Sequence, residues 1–204
     1  MSTKKNTATV KIVNGQYKPE GTFHHGVQGT GIFDEKGTLW GITKPRDMTY
    51  MHSLGGEAPF FQALGEKGRL LGTRCDNKGC EGRGTIYLPF RICCPDCLSK
   101  MKVIDLTDVA IKGARVHTYI VTHRSGAFNT LDKPIRFIDV EFPGVSTMLK
   151  GYMSGPGTPA FGLRVIPIFR TKNPTYTITD LSWVAEGTKA KDLPEGFTFA
   201  KPRK

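Results

Sequence analysis

"RCDNKGCEGRGTIYLPFRICCPDC", residues 74–97, contains all five cysteines of this 204-residue chain. Four residues separate Cys75 from Cys80, two separate Cys94 from Cys97, and a strand-like segment lies between the two pairs. Two short loops of this kind can each present two thiolates, and four thiolates close a tetrahedron around Zn²⁺. The spacing therefore predicts one structural zinc ion bound by Cys75, Cys80, Cys94 and Cys97.

The fifth cysteine and the chemistry of the cluster leave alternatives. Cys93 and Cys94 are adjacent and cannot both readily bind one ion, so we assign Cys94 as the ligand and Cys93 as a partly buried structural thiol. A redox dithiol at Cys94 and Cys97 is the alternative, but it requires a thioredoxin-like βαβ pattern that the sequence lacks. Four protein ligands leave no open position for water or substrate, which predicts a structural rather than a catalytic metal.

The net charge of the chain points to an anionic partner. Lys and Arg number 29 against 18 Asp and Glu, giving +11 at neutral pH. Such an excess is typical of proteins that bind nucleic acid or a phosphorylated small molecule, although a soluble basic surface explains it equally well. Arg74, Lys78, Arg83 and Arg91 surround the predicted zinc–thiolate centre, which is itself anionic. Part of the excess is therefore local compensation, and this weakens the case for nucleic acid.

Targeting signals are not visible in the sequence. No apolar run approaches the roughly 20 residues of a membrane span. The first ten residues, "MSTKKNTATV", include two lysines with no apolar stretch behind them. We therefore expect a cytoplasmic protein with no membrane segment.

The first part of the chain has the pattern of hairpins followed by a helix. Residues 1–56 form the predicted N-terminal β-hairpin extension, with turn signals at Asn14-Gly15 and Gly37. Residues 57–102 combine a helical segment at 57–71 with a rubredoxin-like zinc ribbon. In the helical segment, Phe60, Phe61 and Leu64 share one apolar face that also suits an ordinary core.

The sequence of the rest of the chain predicts β-structure. Five runs rich in β-forming residues, each bounded by Gly, Pro or Asn, lie at 114–123, 134–142, 145–153, 162–170 and 174–184. Five short antiparallel strands indicate a small Greek-key barrel, and the OB fold is the leading candidate. The predicted fold is thus mainly β, with an OB-fold barrel at 103–188 and a loose basic tail at 189–204.

The order of these motifs resembles a known family. The matching stretches are "PFFQALGEKGRLLGTRC" (59–75), "YLPFRICCPDC" (87–97), "ARVHTYIVTHR" (114–124), "KPIRFIDVEFPG" (133–144) and "FGLRVIPIF" (161–169). The sequence predicts a helix with paired aromatics, then a four-cysteine ribbon, then a five-stranded barrel. This order resembles the zinc-ribbon/OB-fold acyl-CoA-associated family, long catalogued as a domain of unknown function. The resemblance covers residues 57–185.

The resemblance implies an accessory role. Members of the family look like subunits that form hetero-oligomers with thiolase-fold enzymes: thiolases, hydroxymethylglutaryl-CoA synthase assemblies, some acyltransferases and CoA-thioester aldolases. The implied function is to bind or position acyl-CoA and to stabilise the catalytic partner, with no activity of the chain alone. Aromatic acyl-CoA degradation is one setting, although no residue specifies it. The chain departs from the family in its longer first knuckle, in Pro89-Phe90-Arg91 where Pro-Pro-Arg is usual, and in residues 1–56.

Seven residues are candidates for contacts with acyl-CoA or a partner. They are Phe60, Phe61, Arg69, Phe90, Arg91, His117 and His123. Aromatic side chains beside arginine are the residue types that dominate protein interfaces. His117 and His123 lie an even number of residues apart in one predicted strand, so we expect them to share a face. In the alternative, the aromatics pack against residues 1–56 and the histidines are ordinary half-exposed strand residues.

Single-stranded nucleic-acid binding is the rival function. OB barrels bind single strands with stacked aromatics in a basic groove, and Tyr119, Phe128, Phe137 and Tyr152 are candidate stacking residues. The strands carry few of the interleaved arginines that such a groove requires, so nucleic acid is the less favoured partner. We assign no catalytic residue, because the cysteines are needed for the metal and no base pairs with a nucleophile.

Overall fold

The computed structural model describes residues 9–13, 16–20, 30–33, 35, 37–43, 53–125 and 129–200. Side chains of the four strands before residue 53, and those at 124, 125, 129, 130 and 132, are not described. The chain divides into two compact units, Met1–Ser53 and Leu54–Lys204. Strands outnumber helices in the described residues, which confirms the mainly-β prediction.

The first unit contains the two expected hairpins. Their strands are β1 (Thr9–Val13), β2 (Gln16–Glu20), β3 (Thr30–Phe33) and β4 (Leu39–Thr43). β1 pairs antiparallel with β2, and β3 pairs antiparallel with β4 through a register shift after Ile32. Gly37 between β3 and β4 has a φ of 76°, a turn conformation that glycine adopts without strain. The predicted Asn14-Gly15 turn lies outside the described residues.

The second unit begins with a short helical segment. A 3₁₀ turn at Gly55–Glu57 leads into α1 (Ala58–Gln62), and a π-helical turn at Ala63–Lys67 continues it. Phe60 and Leu64 point into the core and are 2% and 0% exposed, as their four-residue spacing requires. Gly68 ends the segment with a φ of 57°, the left-handed conformation that commonly terminates helices.

The ribbon is a three-stranded antiparallel sheet. Its strands are β5 (Leu71–Arg74), β6 (Ile86–Tyr87) and β7 (Lys102–Asp105), in the order β6-β5-β7. The predicted metal-binding loops follow β5 and precede β7. The central strand β5 pairs with both β6 and β7, so the strands that flank the two loops belong to one sheet.

A helix follows the ribbon, where the sequence predicted only β-structure. α2 (Thr107–Gly113) begins where the Asp105 carboxylate accepts a 2.9 Å hydrogen bond from the Thr107 amide. The Thr107 hydroxyl accepts a 2.9 Å hydrogen bond from the Leu70 amide, so the start of α2 is tied to the end of the helical segment. The prediction failed because a seven-residue helix is too short to show a clear period.

Two three-stranded antiparallel sheets complete the unit. The first has the order β10-β9-β8 and the second has the order β12-β11-β13. The strands are β8 (Arg115–Ser125), β9 (Asn129–Glu141), β10 (Leu149–Tyr152), β11 (Val165–Arg170), β12 (Leu181–Ala185) and β13 (Phe197–Phe199). Single bridges join Arg115 to Arg164 and Met153 to Trp183, but among the described residues no continuous ladder closes the sheets into a barrel. The OB barrel therefore stays a prediction.

Two segments differ from their expected structure. Residues 174–180, predicted as the start of a strand, form a loop and a 3₁₀ turn because the buried Asp180 carboxylate accepts hydrogen bonds from the amides of Thr175 and Tyr176. The tail, expected to be loose from residue 189, contains β13 instead. Phe197 of β13 is 7% exposed and packs with Ile168 and Val184, which anchors the tail through residue 200.

One large core joins the helical segment, the ribbon and both sheets. Its largest fully buried side chains are Trp183, Phe169, Leu64, Leu70, Leu88 and Ile138. A small separate cluster surrounds the cysteines and includes Tyr87 and Met101. In the described part of the chain, no helix has both the length and the hydropathy to span a membrane.

Candidate metal centre

The four predicted ligands come together at one point of the ribbon. The Sγ atoms of Cys75, Cys80, Cys94 and Cys97 all lie within 4.8 Å of one another. Sγ of Cys75 is 3.8 Å from Sγ of Cys97, and Sγ of Cys80 is 3.9 Å from Sγ of Cys94. With Zn–S bonds of about 2.3 Å, two corners of a tetrahedron lie about 3.8 Å apart. The donor set and its spacing fit a tetrahedral metal ion.

Backbone hydrogen bonds shape the first ligand loop. The Gly84 amide donates to the Cys75 carbonyl at 2.7 Å, and the Cys75 amide donates to the Thr85 carbonyl at 3.1 Å. The Arg83 amide donates to the Cys80 carbonyl at 3.1 Å. These bonds close residues 75–85 into a hairpin-like loop, so the two thiols face the same point although four residues separate them.

The second ligand loop is a tighter turn. The Leu98 amide donates to the Cys94 carbonyl at 2.9 Å, and the Cys94 amide donates to the Ser99 carbonyl at 3.0 Å. Leu98 has a φ of 58°, an uncommon conformation for a residue with a side chain. The turn brings Cys97 back beside Cys94 and leaves the Leu98 side chain 76% exposed.

Asn77 connects the two loops. Its side-chain amide donates to the Ser99 hydroxyl at 3.0 Å, and its carbonyl oxygen accepts from the Gly79 amide at 3.1 Å. Hydrogen bonds from Asn77 and Ser99 lower the pKa of the Cys97 thiol to about 6. The sequence analysis missed both residues, although each lies two positions after a predicted ligand, where a polar side chain can reach the sulfur.

Burial acts in the opposite direction on another ligand. Desolvation raises the pKa of the Cys80 thiol to about 12, because a buried thiolate without a counter-ion is unfavourable. The lowered pKa favours the Cys97 thiolate, whereas the raised pKa favours a protonated Cys80, which must lose its proton when a metal binds. Cys75 and Cys94 are 1% and 0% exposed. Cys80 is also buried and Cys97 is half-buried, so the cluster is largely shielded from solvent.

Cys93 is exposed, which corrects its expected partial burial. It pairs with Lys100 in an isolated antiparallel bridge, and its thiol is not part of the cluster. In strand-like backbone, neighbouring side chains point to opposite sides. The thiol of Cys94 therefore faces the cluster while that of Cys93 faces solvent.

Two basic residues near the cluster have partners on the ribbon. Arg74 forms an ion pair with Asp76, with a nitrogen–oxygen distance of 2.6 Å. The guanidinium carbon of Arg91 lies 5.6 Å from the centre of the Tyr87 ring, and the Arg91 side chain remains exposed. Arg91 therefore stays accessible as a candidate contact with an anionic ligand or a partner.

The predicted aromatic contacts are mostly core residues. Phe60 and Phe90 are 2% and 6% exposed, and their ring centres lie 6.1 Å apart. Phe61 is half-buried and packs edge-on against Phe60 at 5.2 Å. In this conformation Phe60 and Phe90 present very little accessible surface. Their contact role, like that of Phe61, stays a prediction.

The remaining candidate contacts lie apart from the cysteines. Arg69 is half-buried, and its Nη1 atom has no hydrogen-bond partner among the described residues. Nδ1 of His117 lies within hydrogen-bond distance, 2.9 Å, of a Glu141 carboxylate oxygen, and both residues line a groove of about 470 Å³. His123 is exposed and does not line that groove.

Irregular pairing interrupts the simple alternation of faces along β8, so a shared face for His117 and His123 stays a prediction. The β8–β9 ladder shifts register between Val116 and Thr118, and again between Thr122 and Arg124. His117 and His123 are therefore the residues at the two irregularities. The rule of alternating faces does not carry through a bulge.

Comparison with known proteins gives partial structural similarity. No family model matches this chain. No curated protein matches it. The chain is similar to a solved protein of unknown function from the DUF35 family of Sulfolobus solfataricus, at 20% identity and a TM-score of 0.47, over 64% of this chain and 87% of that chain. It is also similar to a structure named Ltp2-ChsH2(DUF35) aldolase, at 22% identity and a TM-score of 0.46, over 63% of this chain and 93% of that chain.

Proposed function

We propose that this chain is a non-catalytic, zinc-containing subunit of a cytoplasmic thiolase-type acyl-CoA complex. In that complex it binds or positions acyl-CoA and stabilises the catalytic partner, which is a thiolase, an acyltransferase or a CoA-thioester aldolase. One observation carries the proposal. The family resemblance rests on three motifs: the helical segment, the ribbon and the strands after it. All three contribute side chains to a single core.

The metal centre supports a structural role for the ion. Zn²⁺ prefers four tetrahedral sulfur ligands in structural sites, and catalytic zinc sites keep one position open. Here the four thiols fill the tetrahedron, and three of them are buried. When bound, the ion supplies folding energy to the ribbon. The chain's own residues, Asn77 and Ser99, stabilise one thiolate and hold the two loops together.

The strand order supports an OB-type barrel. β8, β9 and β10 form a meander, and β11 pairs antiparallel with β12. The parallel bridge from Met153 to Trp183 links the β10 end to β12, and the antiparallel bridge from Arg115 to Arg164 links β8 to the start of β11. Five strands connected in this order match a partly open Greek-key barrel.

Exposed apolar side chains on the ribbon are candidates for the partner surface. Ile92, Leu98 and Val103 are 42%, 76% and 47% exposed. Their neighbours Arg91, Lys100 and Lys102 are exposed cations. Exposed apolar side chains beside charged residues are a usual composition for a protein interface. Because Phe60 and Phe90 are buried, we propose these exposed ribbon residues, ahead of the two aromatics, as the surface that contacts the catalytic subunit.

Assembly tests the proposal directly. Purification of the tagged chain from its native host should recover a thiolase-fold enzyme, identified by mass spectrometry. Leu98→Asp should abolish that recovery while zinc content stays at that of the wild type. Ile120→Asp is the matched control, because Ile120 is an exposed apolar residue (63%) on β8. Normal assembly of Leu98→Asp contradicts the proposed surface.

Activity measurements test the non-catalytic role. The chain alone should show no thiolysis, hydrolysis or aldol cleavage of acyl-CoA thioesters, because the buried thiols are needed for the metal. The same thioesters should turn over when the catalytic subunit is added. Turnover by the chain with its partner rigorously removed would refute an accessory role.

One observation favours nucleic-acid binding as a second candidate function. Ile120, Phe137 and Tyr152 are direct cross-strand neighbours on β8, β9 and β10, and Phe137 is 39% exposed. A row of this kind resembles the stacking surface of OB barrels that bind single strands. The affinity for a single-stranded oligonucleotide would then fall steeply with salt, because several phosphates are neutralised. Salt-independent binding, or none, excludes this candidate.

A further inference from the structure

An unsatisfied cation lies at the end of β11, outside the metal centre. Arg170 is the last residue of β11, and its guanidinium carbon lies 4.8 Å from the centre of the Phe197 ring. Its Nε atom is buried and has no hydrogen-bond partner among the described residues. Buried polar atoms are nearly always satisfied, and a charged donor without a partner is especially unfavourable. Arg170 thus has a nitrogen without an acceptor among the described residues, and the same residue lines a cavity.

The cavity beside Arg170 is predominantly cationic. It measures about 400 Å³ and is lined by Arg170, Lys172, Asn173, Pro194, Glu195 and Gly196. In the described part of the chain, neither Arg170 nor Lys172 takes part in an ion pair. Glu195 is the one acidic residue in the lining, so two cations face one carboxylate. An anion is the complementary ligand for this cavity.

A second cavity of different character adjoins the first. It measures about 490 Å³, shares Pro194 with the cationic cavity, and has Pro134, Ile135 and Tyr152 in its walls. The Tyr152 hydroxyl donates to the Thr179 carbonyl at 2.9 Å, which fixes the ring. Because Pro194 lines both cavities, groups bound in the two cavities would lie near one another. A flat apolar group in this cavity would lie close to an anion beside Arg170.

Another arginine in the second cavity already has acceptors. The Arg136 guanidinium donates to the carbonyls of Gly155 and Gly157, at 2.7 Å for Gly155. It therefore holds the loop after β10 and does not need a ligand. Of the two arginines that line these cavities, Arg170 is the one with a buried nitrogen left unpaired.

We propose that the two adjoining cavities bind a phosphate-bearing nucleotide. The phosphate contacts Arg170 and Lys172, and the base lies against Tyr152 and Ile135. Guanidinium groups match the geometry of phosphate oxygens, and an aromatic ring offers a stacking surface for any base. The assignment rests on the proposed function for the identity of the ligand, which is then the phosphoadenosine part of acyl-CoA.

Calorimetry on the full-length, zinc-loaded chain tests the site with adenosine 3′,5′-bisphosphate and with coenzyme A. The wild type should bind both ligands. Arg170→Gln and Lys172→Gln should each weaken binding about tenfold or more, which is about 1.4 kcal/mol. Arg164→Gln is the matched control for Arg170→Gln, because Arg164 precedes β11 and is already paired with Glu186 at 3.2 Å. It should bind like the wild type.

Lys172→Gln keeps the test decisive if Arg170→Gln fails to fold, because the Lys172 side chain is exposed. Coenzyme A binding that both variants leave unchanged overturns this site and leaves the proposed function intact. If the variants lose bisphosphate binding, the site is supported. If the wild type in that case does not bind coenzyme A, the acyl-CoA function is overturned. The wild type could also bind a single-stranded oligonucleotide more tightly than either nucleotide ligand. If Arg170→Gln and Lys172→Gln abolish that binding, the small-nucleotide assignment is overturned. No binding of either nucleotide ligand by the wild type also overturns it.

Discussion

Replacing Cys94 with serine should remove the metal and unfold the ribbon loops. Cys94 is 0% exposed and lies in the small cluster that also contains Tyr87 and Met101. Burying these two larger side chains contributes about 1.5–3 kcal/mol each. A structural zinc contributes about 10–16 kcal/mol to a small module at neutral pH. The ion is therefore the larger stabilising contribution to the two ligand loops, which the small apolar cluster alone cannot hold.

Metal analysis and hydrogen exchange measure the two effects separately. The wild type should contain one zinc ion per chain, and the amides of Gly84 and Cys94 should be protected because each donates to a backbone carbonyl in the ligand loops. Cys94→Ser should lose both the ion and this protection. The large core around Trp183 should keep its protection, because it is separate from the cysteine cluster.

Cys93→Ser is the matched control for this experiment. The change is chemically the same one residue away, but the Cys93 side chain is exposed and outside the cluster. It should retain one zinc ion and unchanged exchange. Full zinc in Cys94→Ser with loss of zinc in Cys93→Ser would reverse the ligand assignment. Loss of zinc from Cys94→Ser with fully protected loop amides would refute the structural role of the ion.

Two further substitutions test packing in and beside the last two sheets. Gly151→Ala should destabilise the chain by about 1–3 kcal/mol, because the new Cβ would lie 2.8 Å from Nε1 of the buried Trp183. Urea denaturation checks it against Gly79→Ala, whose Cβ would meet no atom closer than 3.8 Å. An unchanged midpoint for Gly151→Ala would contradict the packing. Asp180→Ala should cost on the order of 3 kcal/mol, since a buried carboxylate satisfies several donors of the preceding loop. The exposed Asp108→Ala should unfold like the wild type, and equal stability of the two variants would show that the loop does not depend on Asp180.

The clustering of the four thiols could be predicted because its geometry is local. Each cysteine pair lies within six residues of sequence, so the loop length limits where the thiols can point. The same reasoning assigned Cys94 over Cys93. The strands of the two later sheets could also be located approximately, since β-forming runs bounded by turn residues depend on neighbouring residues.

Contacts between distant segments decided the rest. Phe60 is covered because Phe90, thirty positions later in the numbering, packs against it, and no periodicity reports such a neighbour. The tail is ordered because Phe197 reaches the far side of β11. The histidines of β8 fall at irregularities that depend on how β9 pairs with it. Spacing along the chain by itself determined which thiols can meet. The tertiary structure decided which side chains are buried, because burial depends on segments that only the folded chain brings together.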